Sequence, residues 1–347
     1  MPKKSPKLSI LVPVYNAAEF LPLCLESIIN QTYKDFECFL INDGSTDNSL
    51  KILQDYAKKD KRLKVLDKKN SGYGASLNFA MKKAIGEYIS IVEPDDFLNT
   101  KFYELLLAHD ADIIKSSFMK FYGKTWKTIP ERVFHEVRKD FPINGTKIRP
   151  IKNQKIFLAD PTIWSAIYKR ELLEKNHIKF LETPGASYQD AGFQFKTFAS
   201  AKEIFCLEKP LYYYRKDNEN SSVKSAKKIT AVKTEFDEID DFLKKAKKQE
   251  YETIADACRF RSYNWNLNRL KIKEALKFAK IAKKDYKNKS FDPNYFKNEH
   301  HARANELKFS TKYPTAFVFL RPFFHFKNFL KHLLWKILKR KNDIIKI

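Results

Sequence analysis

The first hundred residues alternate four times between a short, mainly apolar run and a segment whose apolar residues recur at helical spacing. The four runs are Leu8–Pro13, Phe36–Ile41, Leu63–Leu66 and Tyr88–Val92. Continuous apolar runs of this length, bounded by turn-forming residues, are typical of strands buried on both faces of a sheet. Strands that alternate with helices predict a parallel sheet with right-handed connections. We therefore expect this part of the chain to fold as an α/β domain.

Polar residues follow every predicted strand. They are Tyr15 and Asn16, then Asp43, then Asn70 to Gly74, and finally Glu93, Asp95 and Asp96. The carboxyl ends of parallel strands meet at one edge of a sheet, and open α/β sheets bind their ligands there. Taken one at a time, these residues also fit ordinary turn chemistry, and an Asp before Phe97 also fits a helix cap. Together they predict a ligand site.

Three carboxylates, those of Glu93, Asp95 and Asp96, follow the fourth strand directly. Carboxylates this close repel one another and usually need a cation or several hydrogen-bond donors, so we interpret them as a divalent metal site that holds a diphosphate. A second Asp-x-Asp sequence, Asp110 to Asp112, precedes an apolar run, and we interpret it as the start of an edge strand. Neither G-x-G-x-x-G nor G-x-x-x-x-G-K-[ST] occurs, so dinucleotide-binding and P-loop chemistry have no support.

Five segments resemble the opening of family 2 glycosyltransferases with the GT-A fold, of the bacterial type that builds surface polysaccharides. They are Ser9–Asn16, Ser27–Tyr33, Asn42–Asp47, Gly72–Gly74 and Glu93–Asp96, and they match in order and spacing. The resemblance implies a Rossmann-like nucleotide-sugar-binding domain with a central, mostly parallel sheet. It also implies a nucleotide-sugar donor, usually a UDP-sugar, with Mn²⁺ or Mg²⁺ and inversion at the anomeric carbon. The expected acceptor is a glycan or lipid-linked glycan of a capsule, lipooligosaccharide or other surface polysaccharide.

The resemblance also implies roles for individual residues. Tyr15 is expected to stack on the nucleotide base, and Asp43 is expected to hydrogen-bond it. Asp95 and Asp96 are expected to face the ribose, the diphosphate and the metal. Glu93 departs from the commoner Asp by one methylene group. The remaining residues expected to bind the donor are Pro13, Asn16, Asn70, Gly72, Tyr73 and Gly74.

A second set of candidate residues surrounds Asp190, which precedes a helical pattern of Phe193, Phe195 and Phe198. The residues alone favour Asp190 as an N-cap of that helix. The resemblance implies that Asp190 is the general base. Related proteins carry an acidic residue just before this Asp, where this chain has Gln189, and the missing charge is expected to lower the pKa of the base.

Arg215 ends an aromatic run, Leu211 to Tyr214, which also resembles the family. One interpretation makes Arg215 a bidentate ligand of the donor diphosphate. The alternative is a strand of alternating aromatic residues that ends in a solvated arginine.

We expect three regions along the chain. Residues 1–226 are interpreted as the GT-A catalytic domain, with a donor half at 1–100 and an acceptor half at 101–226. The mixed, basic run from Phe118 to Lys152 is interpreted as an acceptor-side insertion. Helical spacing of apolar residues predicts a helical appendix at 227–312, and residues 313–347 are interpreted as a basic amphipathic tail that associates with the membrane.

The charge distribution supports that interpretation of the tail. The net charge is +24, and residues 227–347 contribute 30 Lys and Arg against 14 Asp and Glu. After Pro322, apolar residues fall on one helical face and basic residues on the other, which is typical of a helix at an anionic membrane surface. The alternative is a terminal helix docked on the protein core. The apolar set is Phe323, Phe326, Leu330, Leu333, Leu334 and Ile337, and the basic set is Lys327, Lys331, Lys336, Lys339 and Arg340.

The charge also suits nucleic acid, but no RNP, helix-turn-helix or zinc pattern supports a nucleic-acid-binding protein. A sugar-phosphate nucleotidyltransferase is a third hypothesis, although Val14 to Asn16 does not form the Gly- and Arg-rich loop that it requires. The four cysteines are far apart, which fits a reducing compartment. With no signal-peptide pattern and no spanning apolar run, we expect a cytoplasmic protein peripheral to the inner face of the membrane. The sequence gives no oligomeric state.

Overall fold

The computed structural model describes residues 5–123, 145–218, 229–290, 292–296 and 301–324. The chain divides into two compact units. One comprises Met1–Lys224 with Asp241–Lys248, and the other comprises Ser225–Asp240 with Gln249–Ile347. Much of the predicted acceptor-side insertion and most of the predicted tail lie outside the described residues.

One mixed sheet forms the centre of the first unit. Its described strands run in the order β3-β2-β1-β4-β8-β6-β9-β5, and β7 pairs with β9. The four amino-terminal strands are all parallel, whereas β8 is antiparallel to both β4 and β6. The predicted α/β class with a mostly parallel sheet is confirmed. The strands are β1 Leu8–Val14, β2 Phe36–Asp43, β3 Leu63–Lys68, β4 Tyr88–Ile91, β5 Phe97–Leu98, β6 Ile113–Phe121, β7 Lys147–Ile148, β8 Ala166–Lys169 and β9 Ile204–Arg215.

The helices of this unit form where apolar residues recur every three or four positions. In α1, for example, Leu21, Cys24, Leu25 and Ile28 form a buried face, and Pro22 is accommodated in the first turn. The third helix begins at Tyr73, directly after Gly72, and ends at Met81. The helices are α1 Leu21–Ile29, α2 Ser49–Lys59, α3 Tyr73–Met81, α4 Phe102–Leu107, α5 Arg170–Lys175 and α6 Gln189–Ser200, with 3-10 turns at Gln154–Leu158 and Ile163–Ser165.

The edge-strand prediction for the segment after Asp112 is wrong. Strand β6 lies inside the sheet, between β8 and β9. Two strands that come much later in the chain pair with its two sides, and local sequence carries no sign of such pairing. Asp112 is structural, because its Oδ2 accepts the backbone N–H of Lys202 at 2.7 Å.

The second unit is helical. A fully buried Arg259 organises its interior by donating to Asp285 Oδ2 at 2.8 Å and to Asp240 Oδ2 at 2.5 Å. Tyr263 also donates to Asp285 Oδ2, at 2.6 Å. A buried guanidinium needs such partners, because desolvation without them costs several kcal/mol. The helices here are α7 Ala231–Lys245, whose residues from Asp241 onward are assigned to the first unit, α8 Glu252–Arg269, α9 Ile272–Tyr286 and α10 His301–Lys312, with 3-10 turns at Gln249–Tyr251 and Pro293–Phe296.

Residues 314–324 form a further helix, which continues through Pro322. Its inner face buries Phe317 and Val318, while Arg321 Nη1 donates to the carbonyl of Leu267 at 2.7 Å and so anchors the helix to the end of α8. Its outer face exposes Phe319 (61%), Leu320 (45%) and Phe323 (60%). Among the residues that the structure describes, no helix is both long and apolar enough to cross a membrane.

Candidate active site

The polar residues predicted to meet at the carboxyl edge of the sheet are joined there by hydrogen bonds. Asn16 Oδ1, after β1, accepts the Thr46 N–H at 2.8 Å, after β2. Tyr73, after β3, donates through its hydroxyl to Glu93 Oε1 at 2.6 Å, after β4. The ends of all four parallel strands therefore contribute to one edge, as the strand order requires.

Asp43 organises the donor side of this edge. Its Oδ1 accepts the Ser71 N–H and its Oδ2 accepts the Gly72 N–H, both at 2.9 Å. The Lys68 ammonium also contacts Asp43 and donates to Ser71 Oγ at 2.5 Å. Sequence reasoning missed Lys68, although its position at the end of β3 marks the same edge.

The residues around Asp43 form the rest of the predicted donor side. Tyr15 is 54% exposed at the end of β1, as a side chain that stacks on a ligand must be, and Pro13 is buried within the strand. Asn16 has a φ of 50°, which turns the chain sharply after β1. Asn70 packs closely over Gly44, where an added Cβ would lie 2.8 Å from the Asn70 nitrogen.

Gly72 and Gly74 are required by close packing. A Cβ on Gly72, which has a φ of 94°, would lie 2.8 Å from the carbonyl oxygen of Thr183. A Cβ on Gly74 would lie 2.1 Å from the carbonyl oxygen of Leu181. Real Cβ atoms do not approach backbone atoms this closely. Residues 181–185 therefore pack directly against the turn at the start of α3.

The three clustered carboxylates have different environments. Asp96 is fully buried, and its two oxygens accept the Tyr212 hydroxyl and the Arg215 N–H, each at 2.8 Å. Burial raises the pKa of Asp96 well above its ordinary value, and the charge of Asp95 adds to the shift. Asp96 thus links the acidic segment to β9.

Glu93 and Asp95 are half-buried at the open edge. Asp95 Oδ2 accepts Asn218 Nδ2 at 2.7 Å, and burial raises its pKa. Burial raises the pKa of Glu93 to about 8, with the charges of Asp95 and Asp190 adding to the shift. The additional methylene group of Glu93 allows its carboxylate to reach the Tyr73 hydroxyl.

The described residues contain no group of three or more His, Cys, Asp or Glu side chains arranged to hold a metal ion. Because both oxygens of Asp96 are already bonded, Asp95 is the better placed metal ligand of the two. Mg²⁺ is commonly held by one or two carboxylates together with substrate phosphates and water, so this edge fits a metal that arrives with a diphosphate.

Arg215 is buried, so its interpretation as a solvated arginine is wrong. Its Nε donates to the Asp95 carbonyl at 2.8 Å, and its guanidinium lies against the rings of Phe20 and Phe121 at 4.6 and 4.5 Å. Contact with a diphosphate stays a prediction. In this arrangement Arg215 supports the backbone of the acidic segment.

Asp190 lies in the first turn of α6 and is not its N-cap, which is Tyr188 at a φ of 63°. Asp190 Oδ1 accepts the Ala191 N–H at 2.8 Å. Burial raises its pKa to about 6, and the charge of Asp160 adds to the shift. The neutral Gln189 therefore does not bring the pKa of Asp190 into its ordinary range. The start of α6 is linked to Glu93 through Tyr73, because the Gly185 carbonyl accepts both the Tyr73 N–H and Gln189 Nε2, and the Tyr73 hydroxyl donates to Glu93.

An aromatic cluster that sequence reasoning missed borders the carboxylates. Trp164 stacks on Tyr212 and Tyr214, with ring centroids 4.3 and 5.1 Å apart. The Tyr212 hydroxyl accepts the Glu93 N–H at 3.2 Å. Alternation in β9 was the available signal, since successive side chains of a strand point to opposite faces.

The first unit, a mostly parallel sheet with acidic residues after β4 and a further carboxylate on α6, has the GT-A fold. The sequence model described as Glycosyl transferase family 2 matches residues 9–176. Residues 9–176 of this chain are therefore similar to the family 2 glycosyl transferases.

Several known glycosyltransferases are similar to this chain in sequence or structure. EpsJ of Bacillus subtilis (strain 168), an uncharacterized glycosyltransferase, is 31% identical over 225 residues, which are 62% of this chain and 62% of EpsJ. The poly(ribitol-phosphate) beta-glucosyltransferase of Bacillus spizizenii is 32% identical over 62% of this chain and 34% of its own length. The matched region thus spans less than two thirds of either relative. The crystal structure of S. aureus TarS 1-349 in complex with UDP-GlcNAc superposes with a TM-score of 0.67 at 21% identity, covering 90% of this chain and 89% of that one.

Proposed function

We propose that this protein is an inverting glycosyltransferase that moves a hexose-type sugar from a UDP-sugar to a glycan or lipid-linked acceptor in bacterial surface-polysaccharide synthesis. The observation that carries the proposal is that the start of α6, which bears Asp190, shares the Gly185 carbonyl as a hydrogen-bond acceptor with Tyr73, whose hydroxyl donates to Glu93 at the carboxyl edge of the sheet. The relatives support it, since one is a poly(ribitol-phosphate) beta-glucosyltransferase and TarS was solved in complex with UDP-GlcNAc.

The donor side supports binding of a nucleoside diphosphate. Tyr15 offers an exposed ring on which a base stacks, beside the polar groups that Asp43 holds in place. The diphosphate would lie toward Glu93 and Asp95. Asp95 would hold Mn²⁺ or Mg²⁺, which when bound would neutralise charge on the departing diphosphate.

Asp190 would act as the general base. A sugar hydroxyl is a poor nucleophile, so a carboxylate within hydrogen-bond reach must accept its proton as the new bond forms. With a pKa of about 6, Asp190 is ionised at neutral pH and still basic enough to accept that proton. A base on one side of the anomeric carbon and a diphosphate on the other give an in-line displacement, which inverts the anomeric configuration.

Incubation with a panel of radiolabelled UDP-sugars and Mn²⁺ tests this proposal. The glycosyltransferase predicts release of UDP, whereas a nucleotidyltransferase, running in reverse with added pyrophosphate, predicts UTP and a sugar 1-phosphate. Formation of neither product from any donor would contradict both activities.

We also propose that the protein works at the inner face of the membrane, in keeping with a lipid-linked acceptor. The outer face of helix 314–324 supports this location, because Phe319, Leu320 and Phe323 form an exposed apolar stripe. The sequence from Phe317 to Lys341 contains no acidic residue, so its charge complements anionic lipid.

A further inference from the structure

The loop at residues 181–187 connects the donor-binding turn to the helix that carries Asp190. The carbonyl oxygen of Gly185 accepts two hydrogen bonds at 3.2 Å, one from the Tyr73 N–H and one from Gln189 Nε2. The turn and Gln189, the first residue of α6, thus donate hydrogen bonds to the same carbonyl oxygen. Nearby, the tight packing of Gly72 and Gly74 leaves the loop no room to approach more closely.

The side chain of Gln189 is 2% exposed and uses both ends of its amide. Nε2 also donates to Thr183 Oγ1 at 2.7 Å, and Oε1 accepts the Ser187 N–H. An ionised carboxylate has two acceptors and no donor, so it would satisfy Ser187 but face the Gly185 carbonyl with like charge. Only a group that both donates and accepts satisfies all three partners.

We propose that Gln189 is a positioning residue that fixes Asp190 relative to the donor-binding turn Ser71–Gly74 through the carbonyl of Gly185. Within this turn, the Gly72 N–H donates to Asp43, and the Tyr73 hydroxyl donates to Glu93. Gln189 thereby sets the separation between the base and the sugar donor. This inference rests on the proposed function, because it requires Asp190 to act on a donor held at that turn.

Related proteins carry an acidic residue at the position of Gln189, yet an acidic residue should not restore or improve the site in this chain. In this chain Gln189→Glu should impair turnover, because it removes both donated hydrogen bonds. Small displacements of catalytic groups reduce rates by up to about 100-fold, so we expect a loss of about 10- to 100-fold in kcat. Affinity for UDP should remain within about twofold, because the residues that would bind the uracil base and the ribose are unchanged.

The experiment compares the full-length wild type with the Gln189→Glu, Gln189→Met and Asp190→Asn variants. UDP binding is measured by calorimetry, and kcat is measured as UDP release from the donor that the wild type hydrolyses. Assays run at about pH 8.5, where Asp190 is ionised even if the new carboxylate raises its pKa. Gln189→Met is uncharged and of similar size, so it decides the question if Gln189→Glu does not fold.

Hydrogen exchange supplies a structural readout. In Gln189→Glu the amide of Tyr73 should exchange faster than in the wild type, whereas the amide of Ser187 should keep its protection, because an oxygen still accepts it. Wild-type kcat in Gln189→Glu or, if that variant is unfolded, in Gln189→Met would overturn the inference. Wild-type kcat in Asp190→Asn would instead overturn the proposed base, which keeps the two failures distinct.

Discussion

At the scale of single residues, the site is a set of carboxylates held where burial disfavours their charge. The pKa values of Glu93, Asp95 and Asp190 are all raised, with burial as the largest cause. Groups of this kind commonly mark functional sites, because stability is sacrificed to keep them there. A substitution that removes such a charge should therefore lower activity and raise stability.

We predict that Asp190→Asn lowers kcat by about 10²–10⁴-fold while stabilising the fold. The folded pKa is about 6, above the unfolded value, so ionisation opposes folding increasingly as pH rises from about 4 and fully above about 6. Allowing for partial exposure, Asn should raise the free energy of unfolding by about 1 to 3 kcal/mol at pH 8 and by almost nothing at pH 4. Urea unfolding at both pH values measures this. A variant less stable than the wild type at pH 8 would contradict it.

We predict that the wild-type pH-rate profile falls on its acidic side with a midpoint near the Asp190 pKa of about 6. A general base must be ionised, so kcat should drop about tenfold per pH unit below that midpoint. Steady-state kinetics from acidic to neutral pH at saturating donor test this, with stability monitored in parallel. A rate that stays constant far below the midpoint would exclude Asp190 as the base.

We predict that Asp95→Ala and Asp96→Asn have different effects. Asp95 keeps a half-buried carboxylate at the edge, so its removal should abolish the Mn²⁺-dependent part of UDP-sugar binding. Asp96 is bonded to Tyr212 and Arg215, so Asn should mainly lower the melting temperature. Calorimetric titrations with and without Mn²⁺ compare the two variants. Unchanged metal dependence in Asp95→Ala would contradict the assignment.

At the scale of elements, the strands that local sequence defines were predictable. The apolar runs at β1, β2, β3 and β4 are confirmed as parallel strands. Burial on both faces leaves a local pattern in β1, β2 and β4, whereas β3, at the end of the strand order, is only partly buried. The position of β6 was not predictable, since it depends on pairing with β8 and β9 far along the chain. The contacts of Asp43 and Tyr73 could be predicted from the strand order. The hydrogen bonds from β9 to Asp96 could not, because they depend on the three-dimensional position of β9.

We predict that Gly74→Ala destabilises the first unit, because the new Cβ would meet the Leu181 carbonyl at 2.1 Å. The added methyl forces α3 and the 181–185 segment apart, and overpacking of this kind costs about 1–3 kcal/mol. Gly145→Ala is the control, since nothing lies within 4 Å of its Cβ, although its φ of 65° carries some strain of its own. Thermal unfolding compares them, and an equal melting temperature for both variants would contradict the clash.

At the scale of the whole molecule, charge and exposed apolar surface are the two features behind the proposed membrane location. The net +24 and the excess of Lys and Arg after residue 227 were visible in the sequence. The exposure of Phe319, Leu320 and Phe323 was not, because the same apolar residues also fit a helix docked on the core. In the structure the buried face of this helix belongs to Phe317 and Val318 instead.

We predict that replacing Phe319, Leu320 and Phe323 together with Ser reduces binding to anionic vesicles and leaves the fold intact. Apolar insertion and lipid charge both contribute to such binding, so the remaining binding should weaken further as salt screens the charge. Ile85→Ser is the control, since Ile85 is an exposed apolar residue of the first unit. Co-sedimentation at low and high salt measures both variants. Equal sedimentation of the triple variant and the wild type would contradict the membrane proposal.

In the proposed mechanism, Asp190 and the donor diphosphate lie on opposite sides of the anomeric carbon, which would make the enzyme inverting. Proton NMR at early times on an α-linked UDP-sugar, with water as the acceptor, tests it most directly. An inverting mechanism predicts that the β anomer of the free sugar appears first, before mutarotation mixes the anomers. Initial appearance of the α anomer would contradict it.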